Sequence, residues 1–512
     1  MPEYLAPGVY IEEIELGAKP IEGVSTSTAV FLGRTERGPT EGPVLVTSLT
    51  QFRRLFGGPF SAEAYLPYAL EGFFLNGGKR GFVCRVLGEG AEEADFTLNG
   101  ATNPVFLAGS KGAWGNRLLV VLRPDEKDPS QIGELELALV PREEALETLM
   151  GTDTHKAWGD VDPIALKRLL EKARDRETYI PRPGSSSRLE DLQAQLKRSQ
   201  LLRLNLDQSQ AQNLTPGVYR LSGGSDGTLK LENYQSFFPE LEKIEEISLV
   251  YAPYEKDLYA NLIPRLLAHC EKLKDRFLVI DPPPGKTPSD LAGSPPRNRW
   301  ESKYAALYYP WLRIYDPLTQ GLRAVPPGGH VLGVYARTDA ERGVHKAPAN
   351  EPVRGVAGLA YRVGKGEQEI LNPLGVNCIR ALPGRGIRIW GARTLSSDPL
   401  WKYVNVRRLF IFLEKSIEQG LQWVVFEPNS PRLWARVRQT VTQFLTGVWK
   451  DGALTGATPE EAFFVKCDET TMTEEDLENG RLVVMVGVAP VRPAEFVIFR
   501  IAQWSGGSEV SE

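Results

Sequence analysis

Residues 328–395 read GGHVLGVYARTDAERGVHKAPANEPVRGVAGLAYRVGKGEQEILNPLGVNCIRALPGRGIRIWGARTL. The stretch is dense in glycine, proline and arginine, yet it shows no nucleophile beside a base and no cluster of metal-ligating residues. Its unusual residues are turn formers, amide side chains and cations, which suit a surface that fits another surface. Arg380, Arg385, Arg388 and Arg393 admit two readings: bidentate pairing with carboxylates of a neighbouring subunit, or ion pairs within the chain.

Around this stretch, strands and helices alternate. Upstream, Ser248–Tyr251 reads as a strand, 258–274 as a helix and 276–280 as a strand, followed by Tyr304–Tyr309 and Trp311–Ile314 as strands. Nearer the start, Thr28–Gly33, Val44–Val46 and Gly81–Val86 read as strands. Ser48 is placed to cap a helix that stops at Gly57, and Gln51 to complete a capping box. A second helix is expected within 62–76. Residues 91–230 are less regular, with strands at 118–122 and 135–140 and charged helices at 161–177 and 188–200.

Downstream, 404–419 reads as a helix, Leu421–Phe426 as a strand, and Ser430-Pro431 as the start of a long helix with the stripe Leu433, Val437, Val441, Phe444 and Val448. Leu482–Val491 reads as a buried strand. The pattern predicts an α/β and α+β multidomain protein: 1–25 a strand arm, 26–90 the first part of an α/β core, 91–230 an inserted β-rich outer domain, 231–400 its main α/β domain, 401–493 a C-terminal domain, and 494–512 a second strand arm and tail. Short β-prone arms cannot bury their apolar residues alone and must dock on a sheet.

The chain has 512 residues, 42% hydrophobic and 24% charged, with a formal net charge of −5. That size allows several cores, and the charge argues against electrostatic nucleic-acid binding. No apolar run approaches the roughly 20 residues of a membrane span, so no direct membrane insertion is expected. The first residues lack a basic region followed by an apolar one, so no signal peptide is read and synthesis in the cytosol is expected. Cys84, Cys270, Cys378 and Cys467 are read as reduced thiols.

Motifs that could carry chemistry fit poorly. Gly285-Lys286-Thr287 looks like the end of a phosphate loop, but Ile280 stands where the first glycine belongs, and Pro288 leaves little room for the helix. Gly223-Gly224-Ser225-Asp226-Gly227 matches the nucleophile-elbow pattern without the strand-to-helix context. His155, His269, His330 and His345 lack ligand spacing. No catalytic residue, cofactor or metal is expected; a hydrolase using Ser225 or Lys286 is the enzymatic alternative. Arg432, Arg436 and Arg438 lie early in the long helix, as a solvated basic face or as a patch facing an acidic partner.

Several blocks carry a family resemblance: His330–Arg337, the 338–343 turn, Lys346–Asn350, Leu371-Asn372, Asn377, Trp390–Leu395, and Pro7-Gly8-Val9-Tyr10 near the start. In these the chain resembles the sheath proteins of contractile phage tails and injection systems, to about Gln503. The resemblance implies a structural protomer that stacks as hexameric rings in a helical homo-oligomer around an inner tube. Baseplate and terminator or cap proteins would be further partners, and contraction would drive the tube through a target envelope. It also implies exchange of terminal strands between neighbours, falling here on Tyr4, Val9, Tyr10, Ile11 and Ile14, and on Phe496, Val497, Ile498, Phe499 and Ile501. Gly17, Gly23, Pro490 and Pro493 would be the hinges, Pro493 setting a direction, and Arg432 and Arg436 would face the tube. A non-contractile structural assembly is the other alternative.

Overall fold

The computed structural model describes residues 20–98, 103–182, 187–206, 214–496 and 498. They form two units, one of Ser25–Arg337 with Pro348–Ser397, the other of residues 20–24, Thr338–Ala347 and residues from Asp398 onward.

The larger unit is built on a nine-stranded sheet. In pairing order its strands are Glu351–Pro352, Gly386–Ile389, Val376–Leu382, Ala305–Tyr309, Phe277–Ile280, Leu249–Tyr251, Ala29–Gly33, Gly81–Arg85 and Val44–Val46. The six from Val376–Leu382 to Gly81–Arg85 run parallel, and antiparallel strands close both ends. Every residue of the five parallel strands from Ala305–Tyr309 to Gly81–Arg85 is buried. That is why they read as short continuous apolar runs rather than as alternating patterns.

The decisive stretch opens as a helix, Gly328–Arg342. Its glycines, expected to form turns, instead allow close helix packing. A Cβ on Gly329 would come within 2.3 Å of the Ala69 backbone, and one on Gly333 within 2.5 Å of the Phe73 carbonyl oxygen. Both targets lie on the Leu66–Leu75 helix. The expected turn at 338–343 is the last helical turn, ended by Gly343 at φ +85°. At the other end the buried Asp281 carboxylate accepts hydrogen bonds from the Gly328 N–H at 2.8 Å and the Tyr251 hydroxyl at 2.6 Å.

A β-rich part follows the strand Gly81–Arg85. The chain passes into and out of it along paired backbone, with bridges Glu89–Thr228, Glu92–Ser225 and Asp95–Ser222. Its five-stranded sheet runs His155–Ala157, Gly217–Arg220, Leu118–Pro124, Ile132–Leu139, Asp175–Tyr179. Alternate side chains face opposite ways: Leu119, Val121 and Ala138 pack under the helices Glu144–Met150 and Pro163–Glu171, and Leu118, Val120 and Leu137 pack in a separate core with Trp114 and Tyr219. The expected helix at 161–177 is therefore only Pro163–Glu171, capped by Asp162; Asp175–Tyr179 is an edge strand. The Glu36 side chain, 1% exposed, holds this part in place through Arg117 at 2.7 Å and Arg174 at 3.5 Å, and Arg37, 3.6 Å from Glu36, adds a pair with Asp175 at 2.8 Å.

In the smaller unit, the helices Val404–Gly420 and Pro431–Lys450 pack their stripes into one core with Ile21, Val344 and Phe463. Ser430 caps the second helix, as its sequence predicts. Asp339 and Arg408, both almost fully buried, form a paired contact with bonds of 2.9 and 2.5 Å. Two expectations fail here. Leu421–Phe426 is not a strand but a 3-10 turn at Gln422–Val424 followed by a loop. Only Met485–Val488 of the 482–491 run is a strand, and its side chains are exposed or half-buried.

Candidate assembly surface

The chemistry-bearing side chains lie in closed surroundings. Among the described residues, no group of three or more His, Cys, Asp and Glu is placed to hold a metal ion. The four cysteines are buried and unbridged. Burial pushes the thiols up, Cys270 and Cys378 to about 12, so they are poor nucleophiles. His269 and His330 are driven down to about 4 by burial, with Arg276 adding to the effect at His269. Ser225 belongs to the paired neck of the β-rich part: its backbone bridges Glu92, and its hydroxyl accepts from the Gly227 N–H at 3.1 Å. Lys286 is exposed, beside a six-residue helix capped by Thr287. Gln51 bonds the Thr47 N–H rather than completing a box with Ser48, whose own cap bond to the Gln51 N–H is present. Among the described residues no helix is long and apolar enough to cross a membrane.

What the smaller unit exposes is apolar backbone edge and basic helix. Phe463–Lys466 and Met485–Val488 pair antiparallel as a sheet of two strands. One face of this pair, Phe463, Val465 and Val488, packs on the core, while Phe464 at 51% and Met485 at 52% are exposed. Arg432 is exposed in the first turn of the long helix, whereas Arg436 is half-buried with its guanidinium 4.6 Å above the Trp423 ring. Arg438 turns toward the Cys467 carbonyl at 3.4 Å.

Comparison with known proteins places the chain in a family. Residues 228–395 match the phage tail sheath protein central domain, and 396–503 the phage tail sheath C-terminal domain. The chain belongs to the phage tail sheath family. It is 23% identical over 495 residues to the tail sheath protein of Burkholderia phage BcepMu, covering 93% of this chain and 92% of that one. It is 26% identical over 241 residues to that of Escherichia phage P2, covering 46% and 58%. The match to the Vibrio phage KVP40 protein spans only 29% of that relative. Among solved structures, the helical sheath of the anti-feeding prophage in its contracted state is similar at 25% identity, with a TM-score of 0.58 and coverage of 98% and 99%. The Desulfitobacterium hafniense sheath tail protein shares the fold at 12% identity and a TM-score of 0.60, covering 90% and 93%. The mixed α/β, several-sheet architecture is thus that of sheath proteins, which are structural components and not enzymes.

The residues singled out from the sequence fall in several places on this sheath fold. Gly23 sits where a Cβ would meet the Phe412 ring at 2.9 Å, between Ile21 in the core and the Val24 N–H, which bonds the Ser416 hydroxyl at 3.1 Å. Pro490 bridges Leu454, and the Val491 N–H bonds the Ala453 carbonyl at 3.1 Å. Beyond half-buried Pro493, the Glu495 carboxylate accepts from the Tyr403 hydroxyl at 3.1 Å. Phe496 and Ile498 are exposed, 70% and 81%. Tyr4, Val9, Tyr10, Ile11, Ile14, Gly17, Val497, Phe499 and Ile501 lie outside the described residues.

The arginines of the decisive stretch bond amide and carbonyl oxygens of their own chain. Arg380 reaches the Gln368 side chain at 2.9 Å, Arg385 the Asn350 side chain at 2.9 Å, and Arg388 the Asn350 carbonyl at 2.6 Å. Sequence reasoning missed two features: the exposure of the Met485–Val488 strand and the loop at Val425–Phe426. The Glu427-Pro428-Asn429-Ser430 turn signal was the available hint of the loop.

Proposed function

We propose that this chain is the protomer of a contractile sheath. Copies stack as hexameric rings around an inner tube, and shortening of the stack drives the tube through a target envelope. Baseplate and cap proteins bound the stack, and assembly takes place in the bacterial cytoplasm. The observation that carries the reading is the two-way, near-complete likeness to a sheath solved in its contracted state. No cofactor has a part in it.

Neighbours are linked by strand addition. The two-stranded sheet Phe463–Lys466/Met485–Val488 is the acceptor, and the apolar segments around Tyr4–Ile14 and Phe496–Ile501 are the donors. Backbone hydrogen bonds tolerate side-chain variation and rigid-body rotation. The links at Gly17–Gly23 and Pro490–Pro493 set the donors' directions. Residues 91–230 form an outer insertion; the paired neck from Glu89–Thr228 to Asp95–Ser222 supports this. Residues 401–493 face the tube through Arg432 and Arg436.

Negative-stain microscopy of the full chain beside a chain ending at Pro493 tests the proposal, each with and without inner tube protein. Regular tubular polymer from the full chain, and none from the shortened one, is expected. Failure of the full chain to polymerise even on tubes refutes the sheath reading.

A further inference from the structure

The loop between the two long helices of the smaller unit has an unusual backbone. Phe426 is a large apolar residue at φ +70°, in the left-handed region that favours glycine. It is also fully exposed, at 103%, with Val425 beside it at 59%. Neither burial nor sterics favours a phenylalanine at this position in the isolated chain. Strained residues of this kind persist when their surroundings over-determine them, and they gather at functional sites.

The surroundings do over-determine it. On one side, the Val424, Val425 and Glu427 N–H groups donate to the Leu421, Gln422 and Val424 carbonyls at 2.9, 3.3 and 3.1 Å. Trp423 and Val424 pack on the core, and Arg436 stacks over Trp423. On the other side, the Asn429 side chain accepts from the Trp434 indole at 2.6 Å and donates to the Arg481 carbonyl at 3.1 Å. The tip between these two anchorages is thus held out in a fixed conformation, so little conformational freedom is lost when a partner covers it. A rigid aromatic at such a point, with arginines near it, has the character of an interface anchor.

We propose that Val425–Phe426 is the apolar anchor of the sheath–tube contact, entering a socket rimmed by carboxylates on the outer wall of the inner tube. The inference rests on the sheath reading and names the residue that would give its tube contact register. Charge selects the partner. Two cations beside this loop, the exposed Arg432 and the half-buried Arg436, outweigh its one carboxylate, Glu427, while Arg481 is already ion-paired with Asp476 at 3.4 Å. The basic groups supply attraction and approach rate; the phenylalanine supplies position.

The test is co-sedimentation of the full chain with preformed tubes of the tube protein from the same particle, with thermal unfolding measured in parallel. Phe426→Ala should weaken tube binding tenfold or more without lowering the unfolding midpoint. Phe426→Gly should weaken binding equally and raise the midpoint, because glycine accepts φ +70°. A residue needed only for folding would lower the midpoint in both variants, which overturns the proposal. Unchanged tube binding by Phe426→Ala, with loss on Arg432→Glu, overturns the anchor while leaving the basic contact intact. Loss of self-association with tube binding preserved makes a second copy the occupant and overturns the tube as partner. Wild-type chain that ignores tubes overturns the sheath reading itself.

Discussion

Asp281 makes a titration prediction that can be worked through from structure. The carboxyl lies at the end of the strand Phe277–Ile280, fully buried, with the Gly328 N–H and the Tyr251 hydroxyl donating to it. The Tyr259 hydroxyl accepts from its backbone N–H at 2.9 Å. Desolvation outweighs these donors and raises its pKa from 3.8 to about 7. The unfolded chain therefore ionises at lower pH than the folded one. The stabilisation is fully present below about pH 4 and is lost as pH rises through about 7, at ~1.4 kcal/mol per pH unit. Three units give a loss on the order of 4 kcal/mol. Asp281→Asn has nearly the same shape, accepts the Gly328 bond and cannot ionise. Urea unfolding of wild type and variant, followed by tryptophan fluorescence from pH 4 to 8, compares them, and other titrating groups cancel in the difference. The variant should gain several kcal/mol on wild type across that range. A stability difference that stays constant with pH refutes the argument.

Glu36→Ala should cost about 3–5 kcal/mol, because it leaves Arg37, Arg117 and Arg174 gathered around a missing carboxylate; a loss below about 1 kcal/mol in denaturant unfolding contradicts this. Gly333→Val should destabilise by at least ~1–3 kcal/mol, since its Cβ would meet the Phe73 carbonyl at 2.5 Å and the helices must part. An unchanged unfolding midpoint shows that the close approach is not needed.

The parallel strands and helix caps were legible because their causes are local. Runs such as Ala29–Gly33 are apolar on both faces, and Ser48 and Ser430 sit just before their helices. Glycine misled for the same reason. Read locally, Gly329 and Gly333 break a helix, while the backbone they admit belongs to residues some 260 positions earlier. The Glu36–Arg174 contact spans 138 positions and leaves no periodic trace. In Leu421–Phe426 the apolar run suggested a strand, but Trp423 and Val424 turn inward while Val425 and Phe426 turn outward. Apolarity announces contact without saying whether the partner is this chain or another.

The exposed strand Met485–Val488 brings that ambiguity to a test. In a strand, successive N–H groups point to opposite edges, so one of two neighbouring residues donates into the hairpin and the other outward. Met485 and Val486 face Lys466 and Val465 in the hairpin register. Proline at each position removes one N–H. If neighbours add a strand to this edge, the two variants must behave differently. One should weaken the hairpin and lower the stability of the monomer. The other should fold like wild type and fail to polymerise, because its lost donor mattered only to the incoming strand. A general loss of fit at the surface would impair polymerisation in both variants, since both side chains are exposed, Met485 at 52% and Val486 at 36%. If both variants polymerise normally, strand addition on this edge is wrong, and the exposed apolar residues must serve side-chain packing instead.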